Sequence, residues 1–111
     1  MEDIKVGEYV RTKSGNIGKV LDITNVTMQK RKKYLIKWNI SKAYYITAIR
    51  IVKHSKNIID LIEVGDYVNG HYVYEKLEDG RVHIIAGLLL DKEDIKSIVT
   101  KESFNSIKYE V

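Results

Sequence analysis

The sequence predicts an all-β protein built as two small barrels in tandem, each with five short strands and a helical turn before the last strand. The first observation behind this prediction is a repeat, because IKVGEYV at residues 4–10 returns as IEVGDYV at residues 62–68. The second is that similar turn signals follow both copies. We therefore expect one domain over residues 1–56 and another over residues 57–111. The alternative is a single antiparallel β-domain in which the repeat is a coincidence.

Both copies of the repeat place a glycine and an acidic residue between apolar residues, as Gly7-Glu8 and Gly65-Asp66. Glycine allows a turn with positive φ, and a carboxylate accepts hydrogen bonds from nearby backbone amides. The residues that follow alternate between apolar and polar with a period of two, which is typical of a strand with one buried face. Each copy therefore predicts a turn that leads into a strand.

The remaining elements of the first half follow from its turn residues. Ser14-Gly15 is typical of a hairpin turn, and Gly18 is typical of a bend or bulge within the next strand. Alternating apolar residues predict strands near residues 19–24 and 34–39. The stretch AYYITAIRIVKH at residues 43–54 predicts a short helical turn and then a final strand near residues 50–53.

The second half repeats this order. Glu78-Asp79-Gly80 predicts a hairpin turn between the strands YVYEKL at residues 72–77 and RVHIIA at residues 81–86. DKEDIKSIVTKE at residues 91–102 predicts a short helical turn that leads into a strand. The segment that joins the halves, HSKNIIDLIE at residues 54–63, is apolar enough to be packed rather than flexible.

Five strands with a helical turn before the last describe a small SH3-like barrel, in which closure of the sheet protects its edges. The opening stretch VGEYVRTKSGNIGKV at residues 6–20 resembles KOW-type and other SH3-like modules. That resemblance implies RNA or ribosomal and transcription proteins as partners. The chain is also similar to small proteins of phages and prophages of low-GC Gram-positive bacteria, through IVKHSKNIIDLIEVGDYVNG at residues 51–70. This similarity implies a phage origin and brings no activity with it.

The formal net charge of +4 conceals an uneven division along the chain. Residues 1–57 carry 13 Lys or Arg and 4 Asp or Glu, a net charge of +9, whereas residues 58–111 carry 6 and 11, a net charge of −5. An acidic half next to a basic half can act in three ways. It can neutralise the basic half within the chain, pair with a second copy, or mimic a phosphate backbone on a basic host protein.

Basic residues are densest in QKRKKY at residues 29–34, between two predicted strands, so we expect a hairpin tip in water. Such a tip contacts phosphates while aromatic rings stack on bases, which predicts nucleic acid or a ribonucleoprotein as the partner. The plainer interpretation is a solvated loop beside buried aromatic residues, with Tyr34, Ile36 and Trp38 together on the core face of their strand. The nucleic-acid interpretation assigns the contact to Arg11, Lys13, Lys30, Arg31, Lys32, Lys33, Trp38, Tyr44 and Tyr45.

The second half offers a different contact surface, made of Tyr72, Tyr74, Glu78 and Asp79. The two tyrosines share one face of a predicted strand. They form a protein interface if that face points outward and part of the core if it points inward, and we favour the core. An outward face predicts an adaptor or inhibitor that binds a host or phage protein. A small structural protein of the virion is a third alternative.

Several classes of function are disfavoured by what the sequence lacks. Without cysteine there is no disulfide, thiolate metal site or cysteine nucleophile. His54, His71 and His83 form no HxH or HxxxH pair, although the last two could face each other across the second hairpin. The sequence contains neither a nucleophile elbow nor a phosphate-binding loop. We therefore expect a non-catalytic binding module without metal, cofactor or small-molecule substrate.

The sequence also lacks signals for secretion and for membrane insertion. The opening MEDIKVGEYV is too charged for a signal peptide, and the most apolar stretch, HIIAGLLL at residues 83–90, is too short to span a bilayer. We expect a soluble cytoplasmic protein without a membrane partner, and its oligomeric state is left open.

Overall fold

The computed structural model describes residues 3–26, 31–85, 87–103 and 109–110, and these residues form two antiparallel sheets. The first sheet contains β1 (Tyr9–Thr12), β2 (Ile17–Val26), β3 (Arg31–Asn39), β4 (Lys42–Thr47) and β5 (Ile51–Ser55). The second contains β6 (Tyr67–Val68), β7 (His71–Lys76), β8 (Val82–Ile84), β9 (Leu89–Leu90), β10 (Ser97–Val99) and β11 (Tyr109–Glu110). Between these strands lie the 3-10 turns η1 (Ala48–Arg50), η2 (Ile58–Leu61), η3 (Lys92–Asp94) and η4 (Lys101–Ser103). The prediction of an all-β chain is confirmed.

The two sheets repeat one strand order. The first sheet has the order β4-β3-β2-β1-β5, and the second has the order β9-β8-β7-β6-β10 with β11 added outside β10. In both halves a 3-10 turn precedes the equivalent strand, since η1 lies before β5 and η3 lies before β10. The end strands of each sheet do not pair with each other in the described residues, so both sheets are open. The closed barrels that we expected are therefore not formed. Several strands of the second sheet have only two or three residues, and such short strands have few backbone groups with which to close a sheet.

The repeat has the same backbone geometry in both halves. Each repeat glycine has a positive φ, 92° in the first copy and 101° in the second, which a residue with a β-carbon rarely adopts. The acidic side chain that follows accepts a hydrogen bond from the amide three residues earlier. Lys5 N donates to Glu8 Oε1 and Glu63 N donates to Asp66 Oδ2, both at 2.7 Å. The predicted turn is therefore confirmed for both copies.

Each sheet covers its own hydrophobic cluster. The first cluster contains Ile4, Val10, Val20, Tyr34, Ile36, Ile46 and Ile51. The second contains Ile17, Ile58, Ile59, Leu61, Ile62, Val68, Val73, Val82, Ile84, Leu90, Ile95 and Ile98. Ile17 belongs to β2 of the first sheet, so the two halves pack against each other. The apolar residues of the joining segment are buried in the second cluster, as predicted, while the domain limits at residues 56 and 57 stay a prediction.

The second sheet has six strands where five were predicted, because β11 is added outside β10, and the first sheet differs from the prediction in two places. Residues 42–47 form β4 where a short turn was expected, and the helical turn is confined to residues 48–50. Aromatic and β-branched side chains at residues 44–46 favour an extended chain because they fit the surface of a sheet. The irregularity expected at Gly18 lies instead between Val20 and Asp22.

Gly18 is required for a close contact between β2 and β3. A β-carbon at this position would lie 2.9 Å from the carbonyl oxygen of Lys37 and 2.9 Å from Cε3 of Trp38, with Ile36 closer still. Since the neighbouring strand cannot move aside without losing its own packing, we expect Gly18→Ala to lower the free energy of unfolding by about 1–2 kcal/mol. Urea denaturation measures the loss, and an unchanged midpoint together with unchanged Trp38 fluorescence would contradict the close contact.

Candidate functional site

A buried cluster of charges joins the two halves. Arg11 in β1 is fully buried, and its guanidinium donates two hydrogen bonds to the Asp66 carboxylate, at 2.5 and 3.0 Å. It also donates to Glu102 Oε2 at 2.6 Å and to the carbonyl oxygen of Leu61 at 2.8 Å. Asp66, which is fully buried as well, also accepts from the backbone amide of Lys101 at 2.9 Å. Arg11 therefore presents no exposed guanidinium to a partner, and we leave it out of the contact surface.

Two lysines at the edge of this cluster share one carboxylate. Glu63 oxygens lie 3.2 Å from Lys53 Nζ and 2.9 Å from Lys101 Nζ. Burial raises the pKa of Glu63, but the hydrogen bond from Lys101, the charge of Arg11 and the contact with Lys53 outweigh burial and lower the pKa from 4.5 to about 2. Burial likewise lowers the pKa of Arg11, and its carboxylate partners outweigh burial and raise it. Carboxylates of the second half thus neutralise cations of the first within one chain, which is the first of the three predicted uses of the charge division.

The basic tip lies at one end of β3. Lys32 and Lys33 are exposed there, and because successive residues of a strand alternate, they point to opposite faces of the sheet. Lys30 lies outside the described residues, and Arg31 is described by its backbone alone, at the start of β3. The expected exposure is therefore confirmed for the two described side chains of the tip.

An aromatic pocket lies at the opposite end of β3, about 20 Å from the tip at the rise of an extended strand. The Trp38 ring lies 5.3 Å from the Tyr44 ring of β4, with 34° between the ring planes. These rings form one wall of a pocket of about 330 Å³, and Lys13 and Arg50 line it as well. Among the described residues, no acidic side chain lines this pocket. We refer to the space around Trp38, Tyr44, Lys13 and Arg50 as the aromatic pocket.

Backbone hydrogen bonds fix the basic wall of the aromatic pocket. Lys13 N donates to the carbonyl oxygen of Arg50 at 3.0 Å, which brings these two cationic residues next to each other. The turn after β1 is held from the second half, because Thr100 Oγ1 donates to the carbonyl oxygen of Gly15 at 2.6 Å. The hairpin turn predicted at Ser14-Gly15 is confirmed. These bonds therefore fix the backbone that carries the basic wall of the pocket.

Trp38 is half-buried, with one part of its ring against the first hydrophobic cluster and another part in the pocket. Tyr34 and Ile36 on the same face are buried, as the alternation predicted. The indole Nε1 of Trp38 is buried and donates no hydrogen bond to any described residue. A buried donor without an acceptor is uncommon, and this one is enclosed by the protein.

Tyr44 and Tyr45 do not share a surface, although the sequence analysis grouped them. Tyr44 pairs with buried Ile36 and lies on the core face, whereas Tyr45 pairs with Leu35 and lies on the outer face. Their exposed fractions are nearly equal, 47% and 48%. Of the residues predicted to bind, Lys13, Trp38 and Tyr44 therefore come together, while the tip and Tyr45 lie apart from them.

Arg50 belongs to the aromatic pocket, and the sequence analysis did not select it. It is the last residue of η1 and is exposed. The sequence feature that could have identified Arg50 is the helical turn predicted before the final strand, because such a turn lies at the end of the sheet beside the loop that follows β1. Asn16 and Thr12 also line the pocket and carried no separate signal, because polar residues in a turn are ordinary.

The tyrosines of β7 lie on the surface of the second sheet. Tyr74 is exposed and stacks on His83, with ring centroids 5.5 Å apart, and Tyr72 is half-buried with its ring edge-on to Tyr67. Val73 between them is fully buried and occupies the core position. The preference for a core location of the two tyrosines is therefore wrong, because alternation along β7 assigns the core to the residue between them.

The turn at residues 78–80 is confirmed, and both of its acidic residues are exposed. Asp79 Oδ2 accepts a hydrogen bond from Arg81 Nε at 2.8 Å, and this bond lowers the pKa of Asp79. Glu78 is the acidic residue of the turn that points to solvent beside this pair. The turn thus places two exposed carboxylates on the alternative surface, and the carboxylate of Asp79 is the one that pairs with Arg81.

The histidines do not converge. His83 Nδ1 lies 2.6 Å from Glu75 Oε1, its partner across the β7–β8 ladder, and His71 pairs with Val68 of β6. His71 and His83 therefore do not face each other across the second hairpin, an arrangement that the sequence allowed. Within the described part of the chain, no three His, Asp or Glu side chains come together as metal ligands do.

Comparison with protein-family models, with curated proteins and with solved structures finds no match for this chain. The residues that the structure describes include no helix with the length and apolar character that a membrane crossing requires. The interpretation of the site consequently depends on its own geometry and charge.

Proposed function

We propose that this chain is a non-catalytic binding module that contacts nucleic acid, free or within a ribonucleoprotein, through the first sheet. The observation that carries the proposal is the aromatic pocket, where two aromatic rings and two cations meet and no described acidic side chain is part of the lining. Cations bind phosphates and release counterions, and aromatic rings stack on bases. Lys32 and Lys33 at the far end of β3 extend the basic surface along the strand.

The outer face of the first sheet supports the same proposal. Lys19 of β2 and Lys37 of β3 are exposed and lie directly opposite each other. Two like charges in such a pair repel each other and destabilise the sheet. An anion that bridges them, such as a phosphate, removes that repulsion. The pair therefore favours a polyanionic partner.

We also propose that each half is related to SH3-like modules and that the chain is encoded by a phage or prophage and acts in the cytoplasm. The shared strand order, with β1 between β2 and β5 and a 3-10 turn before β5, supports the first part. A composition without proline and rich in lysine and isoleucine, as in AT-rich genomes, supports the second.

Binding of labelled oligonucleotides at about 50 and 200 mM salt tests the proposed function. Affinity is expected to fall steeply as salt rises, because each phosphate contact releases counterions. The double substitution Lys32→Glu/Lys33→Glu, which changes the net charge by −4, is expected to weaken binding at low salt by at least about tenfold. Fluorescence anisotropy of the labelled oligonucleotide measures both effects.

A matched control is Lys92→Glu/Lys96→Glu, which changes the net charge equally on exposed residues of the second half. We expect this variant to bind nearly as well as the unmodified protein. Equal losses for the two variants would mean that only total charge matters and would contradict the placement on the first sheet. Absence of binding at the lower salt concentration would contradict nucleic acid as the partner.

A second candidate function is an adaptor or inhibitor that binds a host protein through the second half. The exposed stack of Tyr74 on His83, with Glu78 on the same hairpin, favours it, since exposed aromatic residues are enriched at protein interfaces. Under this alternative, Tyr74→Ala abolishes retention of the host protein and leaves nucleic-acid binding unchanged. Under the first candidate, Lys32→Glu/Lys33→Glu weakens nucleic-acid binding and leaves retention of the host protein unchanged.

A further inference from the structure

We infer that the aromatic pocket holds a single unstacked base, so that the chain prefers single-stranded nucleic acid to a duplex. This inference depends on the proposed function and names the form of nucleic acid that the site would take. It starts from Trp38 and Tyr44, whose tilted rings both line the pocket, with 47% of the Tyr44 surface exposed. A base has two flat faces and several ring acceptors, and stacking on an aromatic ring does not depend on which base is present.

The indole of Trp38 contributes ring surface to the pocket. Its ring lines the pocket, while its Nε1 is enclosed by the protein and donates no hydrogen bond in the described residues. The pocket therefore offers stacking surface to a planar ligand, and its cations supply the polar contacts.

The charge of the pocket selects an anionic ligand. Lys13 and Arg50 lie next to each other through the hydrogen bond between Lys13 N and Arg50 O, and Arg50 is exposed at the end of η1. In the described part of the chain, no acidic side chain lines the pocket and competes for them. A phosphate attached to the sugar of the bound base lies within reach of such cations, which are the usual phosphate partners.

The equivalent place in the second half shows that the strand order alone does not produce these features. There Leu90 stands where the first half has Ile46, and η3 supplies Glu93 and Asp94 where η1 supplies Arg50. Among the described residues that line that second pocket, none is aromatic, and Lys96 is the cation beside the two acids. The same architecture thus forms a pocket with a net negative charge in one half and a basic, aromatic pocket in the other, so the aromatic pocket is a property of its side chains.

A duplex cannot use the aromatic pocket in this way. Its bases are stacked on both faces, and bringing one into the pocket requires unpairing and unstacking it. A single strand makes its bases available at much lower cost. We therefore expect tighter binding of a single strand than of a duplex with the same sequence, by roughly 5- to 150-fold, the range that corresponds to one stacked base.

Trp38 is the sole tryptophan of the chain, so its fluorescence reports directly on the pocket. The probes are an oligothymidine of about ten nucleotides, an oligouridine of the same length, and the oligothymidine paired with oligoadenine. We expect both single strands to change Trp38 fluorescence at saturation and the duplex to leave it unchanged. Tyr44→Ala is expected to weaken single-strand binding by roughly 5- to 150-fold and to leave duplex binding unaffected.

Tyr45→Ala is the matched control, because Tyr45 is the next residue of β4, is exposed to the same degree and lies on the opposite face. We expect it to bind single strands like the unmodified protein, and thermal melts of both variants establish that they fold. If single strand and duplex bind equally and Trp38 fluorescence stays constant, or if the two tyrosine variants behave alike, the pocket inference is overturned while the proposed function stands. If no probe binds at about 50 mM salt, the proposed function and the inference both fail.

Discussion

Arg11→Ala is expected to lower the free energy of unfolding by about 3–5 kcal/mol, the range for breaking a buried ion pair by removal of one partner. The loss is large because the substitution leaves the fully buried Asp66 carboxylate without its bidentate partner and removes the bond to Leu61. A small protein has only about 5–15 kcal/mol of stability in total, so this variant is close to unfolding. Urea denaturation followed by circular dichroism and by Trp38 fluorescence measures the loss.

The control for this experiment is Arg81→Ala, which removes the exposed ion pair with Asp79 in a turn. Solvent screens that pair, so we expect little change in stability. Arg11→Lys keeps a charge at the buried position but loses the fork that matches a carboxylate, and we expect a value between those of the alanine variant and the unmodified protein. Equal stability of the two alanine variants would show that the inter-half cluster contributes nothing to stability.

Acid is expected to destabilise the chain through Glu63. Its pKa is about 2 in the folded protein and 4.5 without its partners, so the folded state holds this carboxylate charged. The associated stability is fully present above pH 4.5 and is lost as the pH falls from 4.5 toward 2. Lys53 and Lys101 are 41% and 47% exposed, so solvent weakens the interaction, and we expect a loss of about 1–3 kcal/mol across this range.

The control for the acid experiment is Glu63→Gln, which keeps the shape of the side chain and removes its charge. We expect this variant to be less stable than the unmodified protein at pH 7 and to lose less stability as the pH falls from 4.5 to about 2, the window set by the two pKa values. Urea midpoints collected across that range give the comparison. Parallel pH profiles for the two proteins would contradict the role of Glu63.

These two predictions concern a cluster whose members the sequence did not identify, although neutralisation of the basic half by the acidic half was one predicted use of the charge division. In the sequence, Arg11 is one of many basic residues in a basic half, and Asp66 is the acidic member of a repeat. The two are 55 residues apart and meet because β1 of the first sheet packs against the turn before β6. Bidentate pairing across such a distance depends on how the two sheets pack, which local patterns do not specify.

The sequence by itself determined the elements that depend on local rules. Glycine followed by an acidic residue specified the same turn twice, and period-two alternation correctly placed Tyr34 and Ile36 in the core. The apolar joining segment was correctly predicted to be packed. These results depend on backbone sterics and on side-chain alternation, which act over a few neighbouring residues.

The tertiary structure alone decided which of those residues share a site. It separated Tyr44 from Tyr45 by one step of alternation and the basic tip from Trp38 by the length of β3. It also brought Lys13 to Arg50 and buried Arg11 between the halves. The physical reason is that composition and charge specify only which residues a chain contains. A binding surface depends on the directions in which side chains point and on the distances between them, and these are set only when the strands pair and the two sheets pack.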